Sequence, residues 1–129
     1  MPKPAILCVD DEVVVLDSLK IQLKTEFGDA YLYEVAESAD EALEIIDEIE
    51  EESTILVIVS DWLMPGIKGD EFLIKVHEKY PKIVKVMLTG QADNDAIERA
   101  TKAANLHSCL AKPWDVKELI STIKSGLNQ

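Results

Sequence analysis

The sequence predicts an α/β fold: five strand–helix units wound into one five-stranded parallel sheet with helices on both faces, a (βα)5 doubly wound architecture. Three observations predict it. Short apolar runs alternate with segments whose apolar residues recur at helical spacing. The runs are continuous rather than alternating with polar residues, as in strands buried on both faces. At 129 residues the chain has the length of one domain and can bury a core without a disulfide or metal staple.

Each element has its own signal. Ala5-Ile6-Leu7-Cys8-Val9 is the first strand. Leu16, Leu19, Leu23 and Phe27 mark the first helix, which Gly28 stops. Tyr31 to Ala36 reads as a more polar strand. Ser38 and Glu41 stand at capping-box spacing before Ala42, Leu43, Ile46 and Ile49 on one helical face. Ile55 to Val59 is the most β-branched run and reads as a strand buried on both faces. Phe72, Leu73 and Val76 mark a third helix ending before Pro81. Ile83 to Leu88 is a fourth strand, and Ala96, Ile97, Ala100 and Ala103 mark a fourth helix. Leu106 to Ala111 is a short fifth strand. Leu119, Ile120, Ile123 and Leu127 mark the last helix. Right-handed crossovers assemble these units into an open sandwich.

Composition narrows the class. The formal net charge is −12, which disfavours direct binding to nucleic acid or an anionic membrane. No apolar run reaches the roughly 18 residues of a membrane span, and the N-terminal run is too short for a signal peptide. Two cysteines without a framework suit a reducing compartment, so the expectation is a cytoplasmic domain. Residues 1–64 carry 17 acids and 3 bases, net −14, whereas residues 65–129 are net +2. Much of the acid lies between Glu37 and Glu52. A solvated helix face explains it, with a docking surface for a basic partner as the sharper alternative.

In an open α/β sheet, ligands bind at the carboxyl ends of the strands. Asp10, Asp11 and Glu12 follow the first strand, and Ser60 and Asp61 the third. Thr89 and Gly90 follow the fourth, and Lys112 and Pro113 the fifth. Alone, Asp10 or Asp11 reads as a helix cap, Lys112 as a surface lysine and Thr89 as a turn residue. Asp61 is harder to dismiss, because a carboxylate ending an apolar strand needs a partner. Together the carboxylates of Asp10, Asp11 and Asp61 would repel one another, and a hard divalent cation relieves that repulsion. An all-oxygen ligand set suits Mg²⁺ better than Zn²⁺. A carboxylate can act as nucleophile towards phosphorus, and the transferred group then needs a metal, a cation and a hydrogen-bond donor. Lys112 and Thr89 supply the last two.

The residues Val9-Asp10-Asp11-Glu12, Asp61-Trp62-Leu63-Met64-Pro65 with Gly69, Thr89-Gly90 and Lys112-Pro113 resemble the receiver domains of two-component response regulators. The resemblance covers essentially the whole chain, residues 1–129 as a single receiver domain, free-standing or excised from a longer regulator. It implies a flavodoxin-like fold that accepts a phosphoryl group from a sensor histidine kinase or phosphotransfer protein. It implies Asp61 as phosphoacceptor. Asp11, Asp61 and the backbone carbonyl of Leu63 would hold Mg²⁺, with Asp10 acting mainly through water. Thr89 and Lys112 would contact phosphoryl oxygens, and the Lys112–Pro113 peptide would be cis. The output domain or partner is unknown, and a monomer or a weak homodimer through the last two helices fits equally.

Two positions colour the pattern. Receivers usually carry Tyr or Phe where this chain has Cys109, and a cysteine cannot fill the volume of a ring that swings behind the Thr. Weaker coupling between site and output surface is one reading; a small core residue is the other. Leu63, two residues after Asp61, cannot orient a hydrolytic water, so the acyl phosphate should be long-lived. Gln91 is the other neighbour of that path. His107 has no second ligand at metal spacing and reads as partly packed. Trp114 reads as a core or capping aromatic at the start of the last helix, with an exposed anchor on the output face as the alternative. A haloacid-dehalogenase-like phosphatase would need an acid at Leu63, and neither G-x-G-x-x-G nor a P-loop is present for nucleotide binding.

Overall fold

The computed structural model describes residues 3–90 and 94–128. Five strands, β1 (Ala5–Val9), β2 (Leu32–Ala36), β3 (Ile55–Asp61), β4 (Val84–Thr89) and β5 (Ser108–Ala111), form one parallel sheet in the order β2-β1-β3-β4-β5. Five helices follow them: α1 (Val13–Phe27), α2 (Ala39–Glu52), α3 (Gly69–Lys79), α4 (Asn94–Ala103) and α5 (Val116–Leu127). The expected architecture is therefore the observed one. The strand order reverses at β1, so the crevice of a doubly wound sheet opens between the carboxyl ends of β1 and β3.

Strand alternation divides the core in two. Ala5, Leu7 and Val9 of β1 join Ile58 of β3 and Met87 of β4 against α2, α3 and α4. Ile6 and Cys8 join Val57, Val59, Val86 and Leu88 against Leu16, Leu19 and Leu23 of α1 and Leu119, Ile120 and Ile123 of α5. Continuous apolar runs arise because both sheet faces are covered.

Helix ends follow local chemistry. Gly28 ends α1 at φ +63°, a backbone conformation that glycine adopts without Cβ strain. Ser38 caps α2 by accepting from the Glu41 amide at 3.1 Å. The Glu41 carboxylate reaches back to the Glu37 amide at 3.2 Å, one residue earlier than in a standard capping box. Asp115 caps α5 by accepting from the amides of Lys117 and Glu118. Trp114 therefore neither caps nor starts that helix. It lies before the cap, half-buried, and its Nε1 donates to Gln22 on α1 at 2.8 Å.

Other boundaries shift for backbone reasons. β3 runs on through Ser60 and Asp61, whose main chains pair with Met87 and Leu88 of β4 although their side chains are polar. β5 starts at Ser108, because Asn105 takes a left-handed turn (φ 52°) before it. On α4, Ala96 and Ala100 are buried as expected, but Ala103 is exposed and Ala104, just past the helix, is buried instead.

One buried charge lies far from the sheet's carboxyl edge. Lys85, inside β4, is 1% exposed, and its Nζ donates to the Ile83 carbonyl at 2.7 Å. The Nζ also lies 3.2 Å from Nδ1 of His77, which accepts when the ammonium is charged. Burial pulls its pKa from 10.5 down to about 8. The folded state thus disfavours the charged form. That cost is complete below pH 8 and is relieved as pH rises towards 10.5, where only the unfolded chain still binds the proton. The shift corresponds to roughly 3 kcal/mol. Lys85→Met should be more stable than wild type in urea unfolding at pH 7, by an amount that shrinks between pH 8 and 10. A constant difference would contradict this.

Candidate functional site

Three strand ends place charged side chains together. Asp10 follows β1, and its Oδ1 accepts from the Glu12 amide at 2.8 Å, closing the turn into α1. Its Oδ2 lies 2.7 Å from Nζ of Lys112, which follows β5. The same Nζ lies 3.0 Å from Oδ1 of Asp61 at the end of β3. Asp10 is 1% exposed and Asp61 6%, so one ammonium bridges two buried carboxylates and leaves their cluster with excess negative charge. Asp10 thus acts both as a turn-closing residue and as part of the cluster.

Asp11 stands exposed beside them, and carboxylate oxygens of Asp10, Asp11 and Asp61 all lie within 4.8 Å of one another. Burial raises the Asp61 pKa, and the Asp10 and Asp11 charges push the same way; the Lys112 hydrogen bond opposes them. For Lys112, burial pulls downward, but its bonds to Asp10 and Asp61 outweigh burial and hold its pKa above the usual value. Three clustered carboxylates, all oxygen donors, fit a hard divalent cation such as Mg²⁺.

The backbone around Asp61 is tightly held. The Trp62 amide donates to the Leu88 carbonyl at 3.0 Å, and the Gly69 amide to the Trp62 carbonyl at 2.8 Å. Gly69 starts α3 so close to β3 that a Cβ there would lie 2.3 Å from the Asp61 carbonyl oxygen. Thr89 ends β4 half-buried, and its carbonyl accepts from the Lys112 amide at 3.0 Å. The Lys112–Pro113 peptide is cis.

Comparison with known proteins bears on this arrangement. Residues 6–124 match the family model described as the response regulator receiver domain. The chain belongs to that family. This receiver is 33% identical over 122 residues to the hydrogenase transcriptional regulatory protein HoxA of Cupriavidus necator, covering 95% of this chain and 24% of HoxA. It is 34% identical to the regulatory protein VanR of Enterococcus faecium, covering 96% of this chain and 50% of VanR. The chain thus spans half or less of these relatives. A CheY-like receiver domain protein from Methanospirillum hungatei superposes with a TM-score of 0.85 at 31% identity, over 98% of this receiver and 94% of that chain.

The remaining expected residues take distinct places. Ser60 is fully buried within β3, and its hydroxyl donates to the Asp61 carbonyl at 2.9 Å. It does not join the carboxylates. Leu63 is 50% exposed in the segment after β3. Gln91 lies outside the described residues. Cys109 is half-buried on β5, where burial pushes its thiol pKa up. His107 is half-buried, with Nε2 3.1 Å from the Thr122 carbonyl. Among the described residues no helix is long and apolar enough to cross a membrane.

Two residues linked to Trp62, the neighbour of Asp61 in the chain, escape sequence reading. Asp70 of α3 is buried, bonded to Trp62 on one side and to Arg99 of α4 on the other. In sequence, Asp70 is only an acid in a first helical turn, where acids are common.

Proposed function

We propose that this receiver takes a phosphoryl group onto Asp61 from a sensor histidine kinase or phosphotransfer protein and changes its surface in response. The observation that supports this most is one lysine in contact with two buried carboxylates, at 2.7 and 3.0 Å, at the carboxyl edge of the sheet. An Asp61 carboxylate oxygen attacks phosphorus. The bond from phosphorus to the donor breaks, its electron pair leaves with the donor, and an acyl phosphate results. Lys112 then pairs with a phosphoryl oxygen, and the Thr89 hydroxyl donates to another.

Asp10, Asp11, Asp61 and the Leu63 carbonyl are the groups that would hold Mg²⁺, Asp10 mainly through water. When bound, the metal neutralises charge on the carboxylates and the phosphoryl group. The exposed side chains of Val13, Val14 and Leu63, on the segments after Asp10 and Asp61, offer apolar surface for the donor protein to cover. The phosphoryl group adds a charge of about −1.5 to −2 and draws Thr89 inward, biasing a two-state face.

In this reading residues 1–129 are one receiver domain of a cytoplasmic regulator, a switch rather than an enzyme acting on other molecules. It is free-standing or part of a longer chain, and monomeric or weakly dimeric. Its output passes to another domain or partner rather than directly to nucleic acid.

Intact-mass spectrometry after incubation with acetyl phosphate tests the reading. Wild type should gain one phosphoryl group with Mg²⁺ and little without it, and Asp61→Asn should gain none. A folded wild type that gains nothing contradicts it. Leu63 yields a second expectation. Its apolar side chain cannot orient an attacking water, so the acyl phosphate is long-lived. Leu63→Asn should lose its phosphoryl group several-fold faster once the donor is removed, and an unchanged decay rate would count against the role of this position.

A further inference from the structure

Asp70 is 1% exposed, and each of its carboxylate oxygens has a partner from a different element. Oδ1 accepts from Nε1 of Trp62 at 3.0 Å. Oδ2 pairs with the Arg99 guanidinium on α4. Trp62 directly follows Asp61, and its carbonyl accepts from the amide that opens α3. The peptide beside Asp61, the first turn of α3 and the middle of α4 therefore form one polar chain.

The weight of that chain depends on what else holds α4. It buries Ala96 and Ala100 and packs a partly buried Ile97 against the core, whereas α5 buries Leu119, Ile120 and Ile123. Alanines remove little apolar surface from water, so packing holds α4 less firmly than α5. A buried carboxylate, in contrast, needs its cation, because losing one partner strands the charge in a low dielectric. Arg99 is half exposed, its side chain at 54%, and can let go into water at small cost to itself. Such a contact is made or broken by a small displacement of α4.

We propose that the Asp70–Arg99 ion pair is a latch that holds α4 against α3 in the unmodified protein and yields when Asp61 is phosphorylated. The inference rests on the reading of Asp61 as phosphoacceptor. Charge added at Asp61 lies next to Trp62, and a shift of Thr89 moves the strand end from which the chain leads to α4. Coupling between two sites is reciprocal. Loosening the latch should therefore ease phosphorylation, just as phosphorylation loosens the latch. Asp70 and Arg99 are positioning residues here, with no contact to the phosphoryl group.

The test compares ¹⁵N-labelled wild type, Arg99→Met, Arg99→Lys and Asp70→Asn before and after acetyl phosphate and Mg²⁺, with intact mass recorded on each sample. In unmodified Arg99→Met and Asp70→Asn, α4 amide signals should lie displaced along the line joining the two wild-type states, while β1 signals stay in place. Arg99→Lys should fall between. Arg99→Met should also reach a ratio of phosphorylated to unmodified protein about fivefold higher than wild type at the same acetyl phosphate concentration, the low end of ordinary coupling. Phosphorylation of all four proteins with α4 signals unmoved, or moved off that line with an unchanged phosphorylated fraction, overturns the latch alone. A wild type that gains no phosphoryl group overturns the phosphoacceptor reading and the latch with it, so the two failures are distinguishable.

Discussion

Gly69→Ala should lower the melting temperature by about 10 °C and impair phosphoryl uptake as well. The new Cβ would lie 2.3 Å from the Asp61 carbonyl oxygen and 2.8 Å from the Trp62 Cα, both backbone atoms that no rotamer change can move aside. The start of α3 must then draw back from the end of β3, stretching the 2.8 Å bond from the Gly69 amide to the Trp62 carbonyl. Alanine normally favours a helix over glycine by about 1 kcal/mol, but overpacking costs up to about 3 kcal/mol and more against backbone. A net loss of 2–3 kcal/mol gives roughly that drop in melting temperature for a domain of this size. Gly126→Ala is the control. Its Cβ would meet Val84 Cγ1 at 2.5 Å, at the opposite end of the sheet from the carboxylates. It should cost stability while leaving the uptake rate near wild type. A Gly69→Ala protein with wild-type melting and uptake would contradict the close approach.

Lys112→Met should cost about 3 kcal/mol in the absence of divalent cations and slow phosphoryl uptake about a hundredfold. Without the ammonium, the buried Asp10 and Asp61 carboxylates face one another uncompensated. Removing one partner of a buried pair typically costs about 3–5 kcal/mol, and the partial exposure of Lys112, 19%, puts this case at the lower end. The kinetic effect follows from losing a fixed cation where phosphoryl charge develops, comparable with losing one oxyanion donor at about a hundredfold or more. Urea unfolding and a mass-spectrometric time course with acetyl phosphate measure the two effects. A fully folded variant of wild-type stability and uptake rate would contradict both roles of Lys112.

The sheet was legible because burial on both faces writes strands as unbroken apolar runs, and Ile55 to Val59 is the clearest case. The ends were less so. Ser60 and Asp61 still pair with β4, but polar side chains conceal a backbone that remains in the ladder. Asp10, Asp61, Thr89 and Lys112 were recognisable because each ends an apolar run, and parallel topology brings all such ends to one edge. That one ammonium bonds both Asp10 and Asp61 needed coordinates, since Asp10 and Lys112 stand 102 positions apart. Asp70 and Arg99 carried no comparable signal: an acid in a first turn and an arginine in a helix are ordinary by themselves. Lys85 was hidden inside an otherwise apolar strand. Trp114 packs against the core between α1 and α5, as a core aromatic should, but the cap belongs to Asp115, one residue later, and the bond to Gln22 needed coordinates.

Locating the phosphoryl group on the chain tests Asp61 as its acceptor. After incubation with acetyl phosphate and Mg²⁺, borohydride reduction converts an aspartyl phosphate to homoserine, which peptide sequencing by mass spectrometry locates. Homoserine should form at position 61 and at no other aspartate. Conversion at Asp10, Asp11 or a surface aspartate, with Asp61 intact, would contradict it.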